Sequence, residues 1–265
     1  MRLPSRLTSI DGAPVGARSR ILSLGAIARG SMTPEEEQRI EPAGDRLREA
    51  HFFIHELESY YHEADPFRWH LNAFLKALKE VPDLIATGLQ NRTGFPAWYR
   101  AERSPVSQDP LIRLLADHRD LVVHRGMLLP RSKGVLGLAE GAGIKLGLGI
   151  PIDPLTDSDD AMRSYLASVQ ERGDFLGIIT IDDEDSLPCI QRRWSLGEFG
   201  DADIVDLAAS AWSKVAALMN SVVRYLEGPD LTVDLSCRHH FDGVRVRVYN
   251  RADLRAGKIA GFRLR

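Results

Sequence analysis

The sequence lacks the features that mark several large protein classes. It contains only two cysteines, Cys189 and Cys237, among 265 residues. This number excludes a disulfide framework and fits a reducing compartment. No apolar run approaches the roughly 18 residues that a membrane helix needs, and the formal net charge is only −3. We therefore expect a cytoplasmic globular protein with no membrane partner and no global electrostatic attraction to nucleic acid.

Recognisable cofactor and metal motifs are also missing. The glycines of RSKGVLGLAEGAGIKLGLGIPIDP (131–154) lack the strand–turn–helix context of a dinucleotide site. In CRHH (237–240) the adjacent histidines would point to opposite faces of a strand, so only Cys237 and His239 share a face. A metal site needs three or four protein ligands. The sequence therefore predicts neither a cofactor nor a metal.

Charge is distributed unevenly along the chain. Residues 151–186 carry ten acidic residues against two arginines, and residues 238–265 carry eight basic residues against two aspartates. Two solvated faces of opposite sign explain this pattern most simply. A further interpretation is an interaction protein whose acidic stretch contacts a basic partner or the chain's own basic tail.

Helical periodicity dominates the chain from Asp45 to Gly126. Apolar residues at three- and four-residue spacing predict a first helix from Asp45. Asp65-Pro66 predicts the start of a second helix, which Pro82 should kink or end. Residues 90–108 are predicted to be a loop. Asp109-Pro110 then predicts the start of a third helix, with Gly126 as its left-handed stop.

The second half of the sequence mixes strand and helix patterns. Residues 131–154, 175–181 and 189–194 are predicted to be strands, and 159–172 is predicted to be an amphipathic helix. Asp201 or Asp203 should cap a long helix with a continuous apolar stripe. LTVDLSC (231–237) and VRVRVYN (244–250) are predicted to form a final hairpin, with Asp242-Gly243 in its turn.

These elements predict an α+β protein. We expect an extension over 1–32, a helical core over 33–130, a β-rich insertion over 131–200, a long returning helix over 201–228 and a basic β-hairpin over 229–265. The extension contains an apolar run, ILSLGAIA (21–28), that resembles a poor signal peptide. A loosely ordered extension, with Met32 as the functional start, explains it better.

The stretch HRDLVVHRG (118–126) is the candidate site. On a helix Asp120 and His124 share a face, so the carboxylate can orient the imidazole, and the helix carboxyl end favours its protonated form. Arg119 lies about 140° away from His124 around the helix axis. Two such helices packed about a two-fold axis would bring both residues of both chains into one cleft. Capping and surface ion pairing are the simpler interpretations.

The same stretch resembles the R-x4–6-H motif of the HEPN superfamily, with Arg119, Asp120 and His124 at its arginine, polar and histidine positions. FRWHLNAFLKALKEV (67–81) and the segment FPAWYRAERSPVSQDPLIRLLADHRDLVVHRG (95–126) also resemble bacterial HEPN-like proteins. The resemblance covers roughly residues 45–130. Two features depart from it: no tyrosine follows two residues after His124, and Lys79-Glu80-Val81-Pro82 replaces an arginine-serine-valine-threonine run.

The resemblance implies an antiparallel helical bundle, a homodimer and, in many members, a metal-independent endoribonuclease. Arg119, Asp120 and His124 would be catalytic, and the products would be a 2′,3′-cyclic phosphate and a 5′-hydroxyl. Such enzymes often serve as toxins or defence effectors with an antitoxin or other protein partner. The alternative is a non-catalytic HEPN-like module that binds RNA, a nucleotide or a protein.

Several side chains near the motif are candidates for RNA contact. Arginines and aromatic rings supply phosphate contacts and base stacking in single-stranded nucleic-acid sites. The candidates are Trp98, Tyr99, Arg100, Arg103, Arg113, His118 and Arg125. The simpler interpretation is packing of a loop against the helical core, and it applies to Trp98, Tyr99, Arg100, Arg103 and Arg113.

Overall fold

The computed structural model describes residues 32–125, 128–140, 143–172, 187–228 and 241–262. The protein has α+β architecture, as predicted. Its described elements are α1 (Pro34–Ser59), α2 (Ala64–Gly88), α3 (Phe95–Gln108), α4 (Pro110–Arg125), β1 (Arg131–Glu140), β2 (Gly143–Pro151), α5 (Ser158–Arg172), β3 (Leu187–Ser195), α6 (Ile204–Tyr225), α7 (Phe241–Val244), β4 (Val246–Val248) and α8 (Arg251–Arg255).

The first two helices form as a packed pair with starts that differ from prediction. Helix α1 begins at Pro34, not Asp45, because Thr33 and Glu36 form a capping box there. Asp65 does not cap α2. The Ala64 amide at the start of α2 instead donates 2.6 Å to a carboxylate oxygen of Asp157, which is distant in sequence. The helix continues through Pro82 to Gly88.

The predicted loop over residues 90–108 is wrong. Residues 95–108 form helix α3, which follows Gly94 in the left-handed region at φ 82°. Phe95 and Tyr99 are four residues apart and both buried, so one turn of α3 packs into the helical core. Because Pro96 lies in the first turn, where an amide donor is not needed, it starts the helix without breaking it.

The predicted caps of α4 and α6 are confirmed. Asp109 accepts hydrogen bonds from the Leu111 and Ile112 amides at 3.0 and 3.2 Å, and its carboxylate also binds Lys214 of α6. The choice left open for α6 is decided in favour of Asp203, which accepts from the Val205 amide at 3.0 Å. Helix α6 packs against α1, α2, α3 and α4, and its apolar stripe closes the helical core.

The four described strands form one antiparallel sheet in the order β2-β1-β3-β4. Strand β1 pairs with β2 on one side and with β3 on the other, as the glycine-rich pattern of 131–154 allowed. Helix α5 covers one face, where Met162 packs against Leu136 and Ile190. The predicted strand 175–181 lies outside the described residues.

The predicted C-terminal hairpin turn is wrong. Asp242 and Gly243 lie in the short helix α7, and β4 pairs with β3 in the middle of the chain. The first predicted strand of that hairpin, and the Cys237–His240 cluster, lie outside the described residues. Strand β4 therefore joins the sheet through long-range pairing with β3, and Asp242-Gly243 forms part of a helix in place of the turn that this pair favours.

A buried polar junction joins the helices to the sheet. The Tyr61 hydroxyl donates to the carboxylate of Asp203, and the Tyr61 carbonyl accepts from the Trp194 indole at 2.8 Å. The guanidinium of Arg192, which is fully buried, lies 3.7 Å from the centre of the Trp194 ring. Phe67 of α2 stacks on the same indole. The helical core and the sheet are thus packed through specific contacts between β3 and the α1–α2 turn.

Candidate functional site

Helix α4 carries the R-x4-H motif, and its apolar face holds it against the helical core. Leu111 and Leu115 are 6% and 5% exposed, and both pack in the main helical core. One turn further, the His118 imidazole lies 3.7 Å from the Glu198 carboxylate. The helix runs unbroken to Arg125, so the motif lies on regular helix, as predicted.

The helical geometry orients the motif positions relative to this buried stripe. At about 100° per residue, Arg119 follows Leu115 by about 40° and borders the stripe, whereas His124 lies about 180° from Leu115. Asp120 is about 40° from His124. Arg113 and Asp117, which are both exposed, occupy the same outward sector as His124. The side chains of residues 119–125 lie outside the described part of the structure.

A cavity of about 210 Å³ lies along the flank of α4. Its wall is mostly apolar and comes from four helices: Leu75, Leu78, Lys79 and Pro82 of α2, Arg103, Val106 and Ser107 of α3, Ile112, Arg113, Leu115, Ala116 and Asp117 of α4, and Val215 of α6. Arg119 and Asp120 follow Ala116 by three and four residues, which places them one turn further along this flank. The cavity is smaller than the roughly 300–1,000 Å³ of typical ligand pockets. It suits a single ring or side chain.

Arg103 lines both this cavity and a second cavity of about 270 Å³. The second cavity lies between the end of α2 and the first turns of α3, and Tyr99 and Arg100 line it. Arg103 forms an ion pair with Asp83 at 2.8 Å, and the two side chains are 35% and 61% exposed. The guanidinium is therefore partly neutralised within the chain but remains accessible to solvent.

Tyr99 lies inside the helical core, and Trp98 is partly buried against it. The Trp98 ring stacks on Tyr225 of α6 with ring centres 4.0 Å apart. Tyr99 is 4% exposed, stacks on Phe95 and donates its hydroxyl 2.9 Å to the Pro82 carbonyl. Burial raises the pKa of this hydroxyl. Tyr99 is thus enclosed by protein, whereas Trp98 packs on Tyr225 and keeps part of its surface exposed.

Comparison with known proteins assigns the chain to a phage family. Residues 32–239 match the family model described as bacteriophage lambda protein ea47. The chain belongs to the ea47 family. No curated protein and no solved structure matches it.

The match to the ea47 family includes all of the candidate site. It extends from the start of α1 through α6, and it therefore contains α4, both cavities and the polar junction. Strand β4 and helix α8 follow the matched region.

The remaining predicted contact residues of this ea47 family member differ in their exposure. Arg100 and Arg113 are exposed, on α3 and α4 respectively. His118 is directed towards Glu198 and has only 15% of its side chain exposed, so it faces away from the outward sector. Arg125 is the last residue of α4, and its side chain lies outside the described residues.

Two polar residues of the site escaped the sequence analysis. Lys79 lines the first cavity, and Asp83 binds Arg103. Their four-residue spacing on α2 is a signal for one helical face, but the opposing α3 was predicted to be a loop. Because α3 was not predicted to be a helix, the sequence offered no reason to place Arg103 opposite Lys79 and Asp83.

The structure gives two further findings about the described residues. Across 32–125, 128–140, 143–172, 187–228 and 241–262, no group of three or more His, Cys, Asp and Glu side chains could hold a metal ion. In the same segments no helix has the length and apolar character needed to cross a membrane.

Proposed function

We propose that this ea47 family member is a metal-independent endoribonuclease of HEPN type that acts as a homodimer. The observation that carries the proposal is the orientation of α4. The apolar face of α4 packs in the helical core. On the opposite side, the helical positions of Asp120 and His124 fall in the outward sector with exposed Arg113 and Asp117. This sector of α4 is available for pairing with a second copy.

The proposed chemistry uses two groups at one phosphate. His124 removes the proton of the RNA 2′-hydroxyl or protonates the departing 5′-oxygen. Arg119 neutralises the charge that develops on the phosphorane-like transition state. Asp120, one turn before His124, orients the imidazole. The products are a 2′,3′-cyclic phosphate and a 5′-hydroxyl.

The geometry of a single helix explains why two chains are needed. Arg119 and His124 are about 140° apart around α4, so they diverge within one chain. Two such helices packed about a two-fold axis, with the flank of α4 between the two positions facing the partner, would place Arg119 of each chain near His124 of the other. The cleft is then composite, and a monomer would be inactive.

Electrostatics along α3 and α4 supports an RNA ligand. Exposed Arg100 and Arg113 and the partly neutralised Arg103 line or border the two cavities. Such arginines bind phosphate oxygens through charge-assisted hydrogen bonds. Because the net charge of the chain is −3, the attraction depends on this local surface, and binding should weaken steeply with added salt.

One observation favours the alternative, a non-catalytic HEPN-like module. Tyr99 is buried and one face of Trp98 is stacked on Tyr225, so the exposed arginines of α3 and α4 have little aromatic surface beside them for base stacking. A site of this kind suits phosphate or an acidic protein segment. A toxin or phage-defence role, and an antitoxin as partner, are further parts of the proposal that follow from the HEPN resemblance alone.

RNA cleavage in the presence of EDTA tests the proposal. A mixture of transfer, messenger and ribosomal RNA is incubated with wild type, His124→Ala and His118→Ala, and RNA ends are analysed for cyclic phosphate. His118 is the matched control because it is a histidine of the same helix that faces Glu198. We expect cleavage by wild type and by the control, and a loss of at least about 100-fold in His124→Ala.

Solution mass and binding separate the two functions. If wild type and His124→Ala are equally dimeric, bind RNA equally and leave it intact, the endoribonuclease proposal fails and the binding module is supported. Cleavage that persists in His124→Ala would show that the motif is not the catalytic centre.

A further inference from the structure

Strand β2 forms an open edge of the sheet. The order β2-β1-β3-β4 leaves one side of β2 without a strand partner among the described residues. The opposite edge is different, because Val248 of β4 forms a bridge with Phe262. An open edge presents a row of unpaired backbone N–H and C=O groups, which can pair with another chain.

Only part of β2 carries protection against such pairing. Leu138 pairs with Leu146 and Ala139 pairs with Ile144, so Lys145 is an extra, bulged residue. Bulges and lysines both discourage edge pairing, and Pro151 ends the strand. The five residues between them, LGLGI (146–150), carry no charge and pair regularly with β1.

This five-residue segment is self-complementary. Two identical strands related by a two-fold axis pair antiparallel. With the axis at Leu148, Leu148 lies opposite its own copy, Leu146 lies opposite Ile150, and Gly147 lies opposite Gly149. The three apolar residues then share one face, and the two glycines share the other.

Leu148 is exposed where such a pair would cover it. Its partner across the sheet, Leu136, is fully buried under α5, whereas Leu148 is 58% exposed. The neighbouring Gly149 leaves open space, because a Cβ built there would meet nothing within 4 Å. The apolar edge residue is thus unobstructed at the position of the proposed axis.

We infer that β2 pairs with β2 of a second copy about a two-fold axis at Leu148, and that two sheets join into one. A ladder of five residues per strand buries little area, so the association is weak and depends on concentration. The surface differs from the outward sector of α4. The two interfaces can therefore be tested and can fail separately.

Disulfide capture tests this pairing with a matched control. Directly opposed residues of antiparallel strands have Cα atoms about 4.5–5.5 Å apart, within the roughly 4.4–6.8 Å range of disulfides. In a Cys237→Ser background, we expect Leu148→Cys to give a covalent dimer under mild oxidation. Leu155→Cys is the control, because Leu155 is 56% exposed and lies beyond the strand. It should give no covalent dimer, nor should the background chain, in which Cys189 is buried.

Charge substitution provides the second measurement. Leu148→Lys places two like charges together at the axis, so sedimentation equilibrium should show the association of the proposed homodimers into larger assemblies, or of monomers where no homodimer forms, at least tenfold weaker than in wild type. Leu155→Lys adds the same charge and should leave association unchanged. Circular dichroism checks that all variants are folded.

Either of two results overturns the inference. In the first, Leu148→Cys cross-links no better than Leu155→Cys. This result is also expected where another segment of the same chain occupies the edge of β2. Alternatively, Leu148→Lys could leave the association of wild type unchanged. Neither measurement depends on His124 or on RNA cleavage.

Discussion

Replacing Arg192 by methionine tests whether a buried cation stabilises the junction between helices and sheet. Arg192 is fully buried. Its guanidinium donates 3.0 Å to the Ser132 hydroxyl, 2.7 Å to the Thr156 carbonyl and, less favourably, 3.4 Å to the Asp153 carbonyl. The same group lies over the Trp194 ring. Methionine keeps most of the apolar stem but removes all of these polar contacts.

The size of the effect follows from these contacts. Two short hydrogen bonds from a charged donor contribute about 3–6 kcal/mol together, and a desolvated cation–π contact adds about 2 kcal/mol. Removing a charge from the interior returns several kcal/mol of desolvation energy. We therefore expect Arg192→Met to lower the free energy of unfolding by about 2–5 kcal/mol.

Urea unfolding followed by circular dichroism and tryptophan fluorescence measures this change. Arg193→Met is the matched control, since Arg193 is exposed and its guanidinium only reaches the Asp201 carbonyl at 3.5 Å. That variant should stay within about 0.5 kcal/mol of wild type. If Arg192→Met is as stable as the control or more stable, the cation does not stabilise the fold, and the reasoning about the junction is wrong.

Two further predictions concern stability. Burial raises the pKa of Asp159, but the two hydrogen bonds from Arg247, at 2.7 Å each, outweigh it and hold the pKa below the ordinary value. Asp159→Asn should therefore cost about 2–3 kcal/mol at pH 7. The difference from wild type should shrink as the pH falls below about 4, where the carboxylate of the unfolded chain becomes protonated, and should be lost once the pH passes the lower pKa of the folded carboxylate; a pH-independent difference in urea unfolding would contradict this. Trp98→Ala should lower the free energy of unfolding by about 2 kcal/mol, because its partly buried ring stacks on Tyr225, whereas Trp69→Ala, at a 54% exposed position, should lower it by less than about 1 kcal/mol; equal losses in thermal unfolding would refute a stabilising role for the Trp98–Tyr225 stack.

Local signals predicted much of the secondary structure. Asp109 and Asp203 each precede an apolar helical stripe, and each caps the predicted helix. The glycine-rich segment 131–154 forms β1 and β2. These predictions succeed because caps, helical periodicity and strand patterns act over a few residues, within the range that sequence spacing describes.

Predictions failed where contacts between distant segments decide the structure. Residues 95–108 form a helix although prolines and polar residues are typical of a loop, because Phe95 and Tyr99 gain a buried environment against α2 and α6. The Asp242-Gly243 pair lies in helix α7 and not in a hairpin turn, and β4 pairs with the distant β3. Tertiary packing overrides weak local preference in both cases.

The sequence alone determined the motif and its helix. The order Arg119, Asp120, His124 on a capped helix fixes their angular separation, since every residue turns the chain by about 100°. Only the tertiary structure decided which way the helix faces. Burial of Leu111 and Leu115 turns the positions of Asp120 and His124 outward, while Trp98 packs on Tyr225 of α6. Which face of a helix is buried depends on the surfaces that surround it, and those surfaces come from segments far away in the chain.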